Sequence, residues 1–154
     1  DLAAPVAEVL DLLAPAVAEK GIRLSASIDP LLPARVIGDA RRLRQVLLNL
    51  ADNAVKFTAV GGVGIRVERA EANGQVRFAV ADTGKGMDRR TATKVFDPFF
   101  TTKQAQGTGL GLSISQQLVS RAGGGITARS TLGAGSCFTI VLPAAVLPRL
   151  SARR

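Results

Sequence analysis

The chain has 154 residues, of which 20 are Lys or Arg, 12 are Asp or Glu, one is Cys and none is His. The lack of imidazole excludes Ser-His and Cys-His catalytic pairs, a His general base and His metal ligation, and the lone Cys137 excludes an internal disulfide or a Cys-rich zinc site. The net charge of +8 suits a soluble surface with a basic tail, nucleic acid, membrane headgroups or a nucleotide's phosphates, but six Phe with no Trp or Tyr supply few stacking platforms for nucleic acid.

The length fits one domain able to bury most of its unfolded surface. Hydrophobic content of 47% and charged content of 21% describe a globular chain. No apolar run reaches a membrane span. The acidic start at Asp1, without Met, reads as a piece cut from something longer and not as a signal peptide.

In chain order, Leu2, Val6, Val9, Leu10, Leu13 and Val17 recur at helical spacing up to Gly21, with Pro15 as a kink candidate. Residues 22–28 alternate like a strand, and 29–33 (DPLLP) read as a turn. Asp39 is an N-cap candidate for a helix to about Thr58. Residues 62–82 read as a β-hairpin, with 72–75 (ANGQ) supplying turn chemistry. A Gly-rich loop at 82–87, a short helix to about Val95 and a Phe/Pro/Gly-rich segment at 96–109 follow. A helix over 110–122 and strands near 125–131 and 136–142 complete the pattern. Paired strands with intervening helices predict an α+β fold, a two-layer α/β sandwich. Residues 1–143 are assigned to one domain and 144–154 to a basic, disordered tail or linker.

The helix over 43–58 has two faces. Leu43, Val46, Leu47, Leu50, Ala54 and Phe57 form an apolar stripe, while Gln45, Asn49, Asp52, Asn53 and Lys56 fall opposite. Asn is a poor helix-interior residue because its amide competes for backbone bonds. Asn49 and Asn53 stand one turn apart, with Lys56 three further on. Amide oxygens can coordinate Mg²⁺ while a Lys meets phosphate; a solvated polar face is the alternative.

Two glycine loops bracket a Phe-rich segment. In AVADTGKGM (79–87) a strand ends at Asp82, followed by Gly84 and Gly86; the carboxylate can accept from an exocyclic amine while glycines let backbone approach a ring. An ordinary Asp-Thr-Gly turn is the alternative there. In QGTGLGLS (106–113), Gly107, Gly109 and Gly111 open a helix whose free N–H groups and dipole suit phosphate. It is not a P-loop, since no Lys follows the last glycine. Between them, VFDPFFTTK holds Phe96, Phe99 and Phe100, read as a hydrophobic anchor or the pinned base of a lid.

Together, NLADNAVKFT, DTGKGM, FDPFF, GTGLGLSI and the closing STLGAGSCFTIVLP resemble, in order, the N box, first glycine box, F box, second glycine box and last hairpin of the ATP-binding catalytic domain of bacterial two-component sensor histidine kinases, within the GHKL ATPase superfamily. The resemblance covers about residues 1–143. It implies a Bergerat-type sandwich with a mixed, mostly antiparallel sheet, helices on one face and ATP between the layers. By the same likeness, Asn53 holds Mg²⁺, Asn49 supports the polyphosphate site and Lys56 contacts phosphate. Asp82 recognises the adenine amino group, helped by Thr139; Gly84 and Gly86 shape the adenine pocket, and Phe57 belongs to the nucleotide site. Gly107, Thr108, Gly109, Leu110 and Gly111 wrap the phosphates, with Lys103 on the lid. Phe96, Phe99 and Phe100 anchor that lid. Two features depart from the family pattern: the lid from Thr101 to Gln106 is short, and Arg-Ala-Gly-Gly-Gly (121–125) replaces the frequent His-Gly-Gly.

Relatives that hydrolyse ATP place a Glu one turn before the metal Asn. Here that position is Asn49, and an amide cannot act as a general base. The resemblance therefore implies a protein-histidine kinase that delivers the γ-phosphoryl group to a histidine on a separate dimerisation domain. A response-regulator receiver domain is the next partner. Location is cytoplasmic, with membrane attachment only through regions outside this chain, and nucleic acid is not a partner. A nucleotide-binding pseudokinase or a GHKL ATPase clamp is the alternative. A chain without histidine cannot carry the phosphoacceptor itself.

Overall fold

The computed structural model describes residues 1–33, 36–70, 74–100 and 111–146. Helix α1 (Ala3–Lys20) buries Pro5, Val6, Val9, Leu13 and Val17, and continues through Pro15. It stops at Gly21, whose φ of 68° supplies the left-handed cap while its N–H donates to the Ala18 carbonyl. Strand β1 (Arg23–Ile28) follows, then the expected turn, in which the Asp29 carboxylate accepts from the Leu31 N–H. After the two-residue strand β2 (Val36–Ile37), the Asp39 side chain caps α2 (Ala40–Phe57) by accepting from the Arg42 N–H at 3.2 Å.

Strands β3 (Gly62–Arg69) and β4 (Gln75–Asp82) form the antiparallel hairpin. Helix α3 (Arg89–Lys94), helix α4 (Gly111–Arg121), β5 (Gly125–Thr131), β6 (Gly135–Pro143) and β7 (Ala145–Val146) complete the described fold. The main sheet has the order β1-β3-β4-β6-β5. Only β1 and β3 run parallel; the other three pairs are antiparallel. A parallel pair needs a crossover, and α2 provides it.

Alternation along the strands decides which face is covered. Val63, Ile65, Val67, Val76, Phe78, Val80, Phe138 and Ile140 bury one face beneath Leu13, Val17, Leu47, Leu50, Leu118 and Val119 of α1, α2 and α4. Arg23, Arg66, Arg77 and Arg129 occupy the other face. The result is the expected two-layer α+β sandwich with helices on one side. One detail differs from expectation: β7 pairs antiparallel with β2, so Ala145 and Val146 belong to the fold and not to a tail. Residues 147–154 lie outside the described set.

The end of α2 is held by a residue that periodicity does not reveal. The Lys20 ammonium, at the last turn of α1, donates to the carbonyls of Val55, Lys56 and Thr58, at 3.0 Å for the latter two. These carbonyls lie at the negative end of the helix dipole, where that of Val55 also accepts from the Thr58 N–H. Lys20→Met is expected to lower the unfolding free energy by about 1–3 kcal/mol, read by urea denaturation. A change within error of zero would show that water replaces the ammonium without loss.

Candidate functional site

Helix α2 turns its apolar stripe into the sheet and so points its polar residues along the opposite flank. Val46, Leu47, Leu50, Ala51, Ala54 and Val55 are buried, whereas Asn49, Asp52 and Asn53 are half-buried and Lys56 is exposed. The Lys56 ammonium pairs with the Asp52 carboxylate at 3.0 Å across one turn. The Asn49 Nδ2 donates to Ser115 Oγ at 3.3 Å, and Ser115 Oγ donates in turn to the Gly111 carbonyl at 2.8 Å. Ser115 is fully buried, so this relay is a strut between α2 and the first turn of α4. With its nitrogen engaged, Asn49 has its acceptor oxygen left to offer.

Asp82 ends β4 on the helix-facing side of the sheet. Its Oδ1 accepts from the Gly84 N–H at 2.9 Å and from the Ser136 N–H at 3.3 Å. Half-burial raises its carboxyl pKa from the ordinary aspartate value, and these two hydrogen bonds offset that only in part. The loop that follows passes very close to its neighbours. A Cβ on Gly84 would lie 2.4 Å from the Phe57 carbonyl oxygen. Gly86, at φ +66°, would set one 2.0 Å from the Thr131 carbonyl oxygen. The Lys85 ammonium sits 4.9 Å from the centre of the Phe57 ring, a cation–π contact. Loop and helix end thus meet, and Asp82 shares one end of the sandwich with the amide flank of α2. A cavity of about 580 Å³ lies at the other end, among Leu2, Leu43, Val46, Val76 and Leu142, away from these groups.

Of the residues singled out by sequence, Asn49, Asn53, Lys56 and Phe57 lie along α2, and Asp82, Gly84 and Gly86 lie on the strand end and loop that reach that helix at Phe57. Phe57 is not part of the core stripe: it is half-buried beneath Lys85. Thr139 requires correction. Phe138 and Ile140 point to the helices, so Thr139, paired with Ala79, projects from the opposite face and cannot assist Asp82. Ser136 is the cross-strand partner of Asp82 and donates its N–H to that carboxylate. The alternation of Phe138 and Ile140 could have revealed the parity. Phe96 is an anchor, its ring edge-on to Phe138 at 6.1 Å, but Phe99 is 72% exposed. Gly111 opens α4. Lys103, Gly107, Thr108, Gly109 and Leu110 lie outside the described residues. Ser115, Ser130 and Lys85 were not anticipated; a buried serine carries no periodic signal of its own.

Residues 38–146 match the family described as histidine kinase-, DNA gyrase B- and HSP90-like ATPase. The sensor histidine kinase ZraS of Klebsiella oxytoca is 41% identical over 143 residues, covering 93% of this chain and 30% of that protein. The crystal structure of full-length ShkA in complex with AMPPNP superimposes with a TM-score of 0.88 at 38% identity, over 96% of this chain and 31% of that one. The histidine kinase ThkA, solved in complex with the response regulator protein TrrA, gives 0.76 at 30% identity, over 93% of this chain and 40% of that one. The chain thus spans about a third of the length of ZraS and of ShkA.

The raised Asp82 pKa has a signed consequence. A carboxyl whose folded pKa lies above its unfolded value disfavours the charged native state above the unfolded pKa, and this penalty fades as pH falls through the folded value. Asp82→Asn keeps an acceptor for Gly84 and Ser136 without the charge. It is expected to melt at or above the wild-type temperature at pH 7, with the gap closing towards pH 4. A variant that melts well below wild type at pH 7 would contradict this.

Proposed function

The chain belongs to the histidine kinase-, DNA gyrase B- and HSP90-like ATPase family, and from that premise we propose that it binds Mg·ATP and passes the γ-phosphoryl group to a histidine on a separate dimerisation domain. The observation that carries this reading is the close approach of Gly84, two residues after Asp82, to Phe57, one turn after Asn53 on α2. A half-buried carboxylate with one oxygen already held by two backbone N–H groups has its other oxygen to accept from an exocyclic amine. That preference selects adenine over guanine, whose corresponding group is a carbonyl.

The donor set suits Mg²⁺ held jointly with phosphates. This ion takes few protein oxygens and keeps waters and phosphate oxygens for the rest. Among the described residues no cluster of three His, Cys, Asp or Glu could hold a metal; the neutral amide oxygen of Asn53 would hold the ion, with Asn49 supporting the polyphosphate. When bound, the ion neutralises charge on the transferring group. Lys56 lies at the same flank and has donors left for phosphate while it keeps its pair with Asp52. Gly107 to Gly111 supply backbone N–H groups ahead of α4.

Transfer is favoured over hydrolysis because α2 carries no free base. Asn49 is an amide committed to Ser115, and Asp52, the one carboxylate within α2, is paired with Lys56. Phosphoryl transfer asks the protein for positioning and charge stabilisation, which these residues provide. The phosphoacceptor domain and a response-regulator receiver domain are the proposed partners; ThkA, which this chain resembles, was solved with a response regulator. No helix among the described residues is long and apolar enough to cross a membrane. The proposed location is the cytoplasm, where ATP and the receiver domain are found.

Mixing the chain with the cognate helical domain and γ-labelled ATP is expected to place acid-labile label on that domain. Asn53→Ala is expected to slow transfer by about 100-fold or more, the scale of losing a group that stabilises the transferring charge. Label that never reaches the helical domain, or an Asn53→Ala rate equal to wild type, would overturn the proposal.

A further inference from the structure

Asp82, Ser136 and Ser130 form one row across β4, β6 and β5, all on the helix-facing side of the sheet. Ser130 lies at the far end of that row and is half-buried. Its Oγ accepts from the Met87 N–H at 2.7 Å, lies 3.1 Å from the Gly135 carbonyl and 2.8 Å from Ser136 Oγ. It therefore touches the glycine loop, the turn between β5 and β6, and the hydroxyl next to Asp82.

A proton count leaves two arrangements. A serine hydroxyl has one proton and two lone pairs. Met87 takes one lone pair, so Ser130 retains a proton and one lone pair. If the proton goes to the Gly135 carbonyl, the Ser136 O–H must turn inward to donate to Ser130, and Ser136 then shows only lone pairs to a ligand. If Ser130 donates to Ser136 Oγ, the Ser136 O–H turns outward as a donor. Adenine presents an amino group for Asp82 and, beside it, the ring acceptor N1. Only the second arrangement satisfies both. Guanine presents the reverse pattern, a carbonyl beside an N–H.

We propose that Ser130 is a positioning residue for purine recognition: by donating to Ser136 Oγ it aims the Ser136 hydroxyl at adenine N1, alongside the amino group held by Asp82. This rests on the assignment of an adenine nucleotide to the Asp82 pocket and adds a residue that touches no ligand.

The test compares ATP with 1-deaza-ATP, which keeps the amino group and lacks the N1 acceptor, in calorimetric titrations with Mg²⁺ on the 154-residue chain. Ser130→Ala is expected to weaken ATP by about three- to fivefold, the scale of one net hydrogen bond, and to leave 1-deaza-ATP unchanged. Ser130→Cys, of similar volume but a weak donor, is expected to repeat that pattern if the alanine variant folds poorly. Ser130→Thr, which keeps the hydroxyl, is expected to restore ATP affinity. Equal weakening of both nucleotides would make Ser130 a purely structural residue, and no weakening of either would remove it from recognition; each overturns the proposal. Wild-type chain that binds neither nucleotide would overturn the Asp82 assignment and this inference with it, a result distinct from the first two.

Discussion

The contact on which the rest of the site depends is the approach of the 82–86 loop to the end of α2. A backbone atom can come within van der Waals reach of the Phe57 carbonyl at residue 84 only if residue 84 has no Cβ. The Lys85 N–H also faces that carbonyl, at 3.4 Å. This approach brings the carboxylate of a sheet strand and the amides of a crossover helix to one end of the sandwich. On the other side of the loop, Gly86 fits against the Thr131 carbonyl and Gly135 against the Asp82 carbonyl. Three glycines thus close the space between β4, α2 and the β5–β6 turn, and the groups proposed to face the nucleotide are set on the elements around it.

The electrostatic design follows from that packing. Asp82 is placed where burial works against its charge, and two backbone N–H groups on one oxygen compensate in part. Such a group is a modest liability to the fold and an asset to recognition, because a partly desolvated carboxylate interacts more strongly with an amine than a solvated one does. The cations are arranged differently. Lys20 is spent on the last turn of α2, Lys56 rests on Asp52, Lys85 lies over Phe57, and four arginines occupy the open face of the sheet. Lys20 and these arginines therefore serve the framework and surface. Among the described residues, Lys56 and Lys85 are cations at this end of the sandwich.

Much of the architecture was legible along the chain because the elements are long and strongly periodic. The α2 stripe, the 62–82 hairpin and the Asp39 cap all follow from local rules. The short pair β2 and β7 was not legible, since two residues have no period to read. In the site, Asn49, Asn53, Asp82 and the glycines were legible because amides inside a helix and glycines after a strand are locally unfavourable and so stand out. Thr139 was misplaced because strand parity is a property of register: one step along β6 moves a side chain to the other face. Phe57 fitted the stripe by spacing but sits on the last turn, half-buried beneath the Lys85 ammonium. Lys20, Ser115 and Ser130 act through hydrogen bonds between residues distant in sequence or across strands, and nothing local marks them.

The central claim is that this end of the sandwich is an adenine-nucleotide site whose selectivity resides in Asp82. Calorimetric titration of the wild-type chain with ATP and with GTP, each with Mg²⁺, tests it directly. ATP is predicted to bind with one-to-one stoichiometry and GTP more weakly by about tenfold or more, since a guanine carbonyl opposes the carboxylate where adenine donates to it. Equal affinity for the two nucleotides, or no heat with ATP at millimolar concentration, would contradict the account.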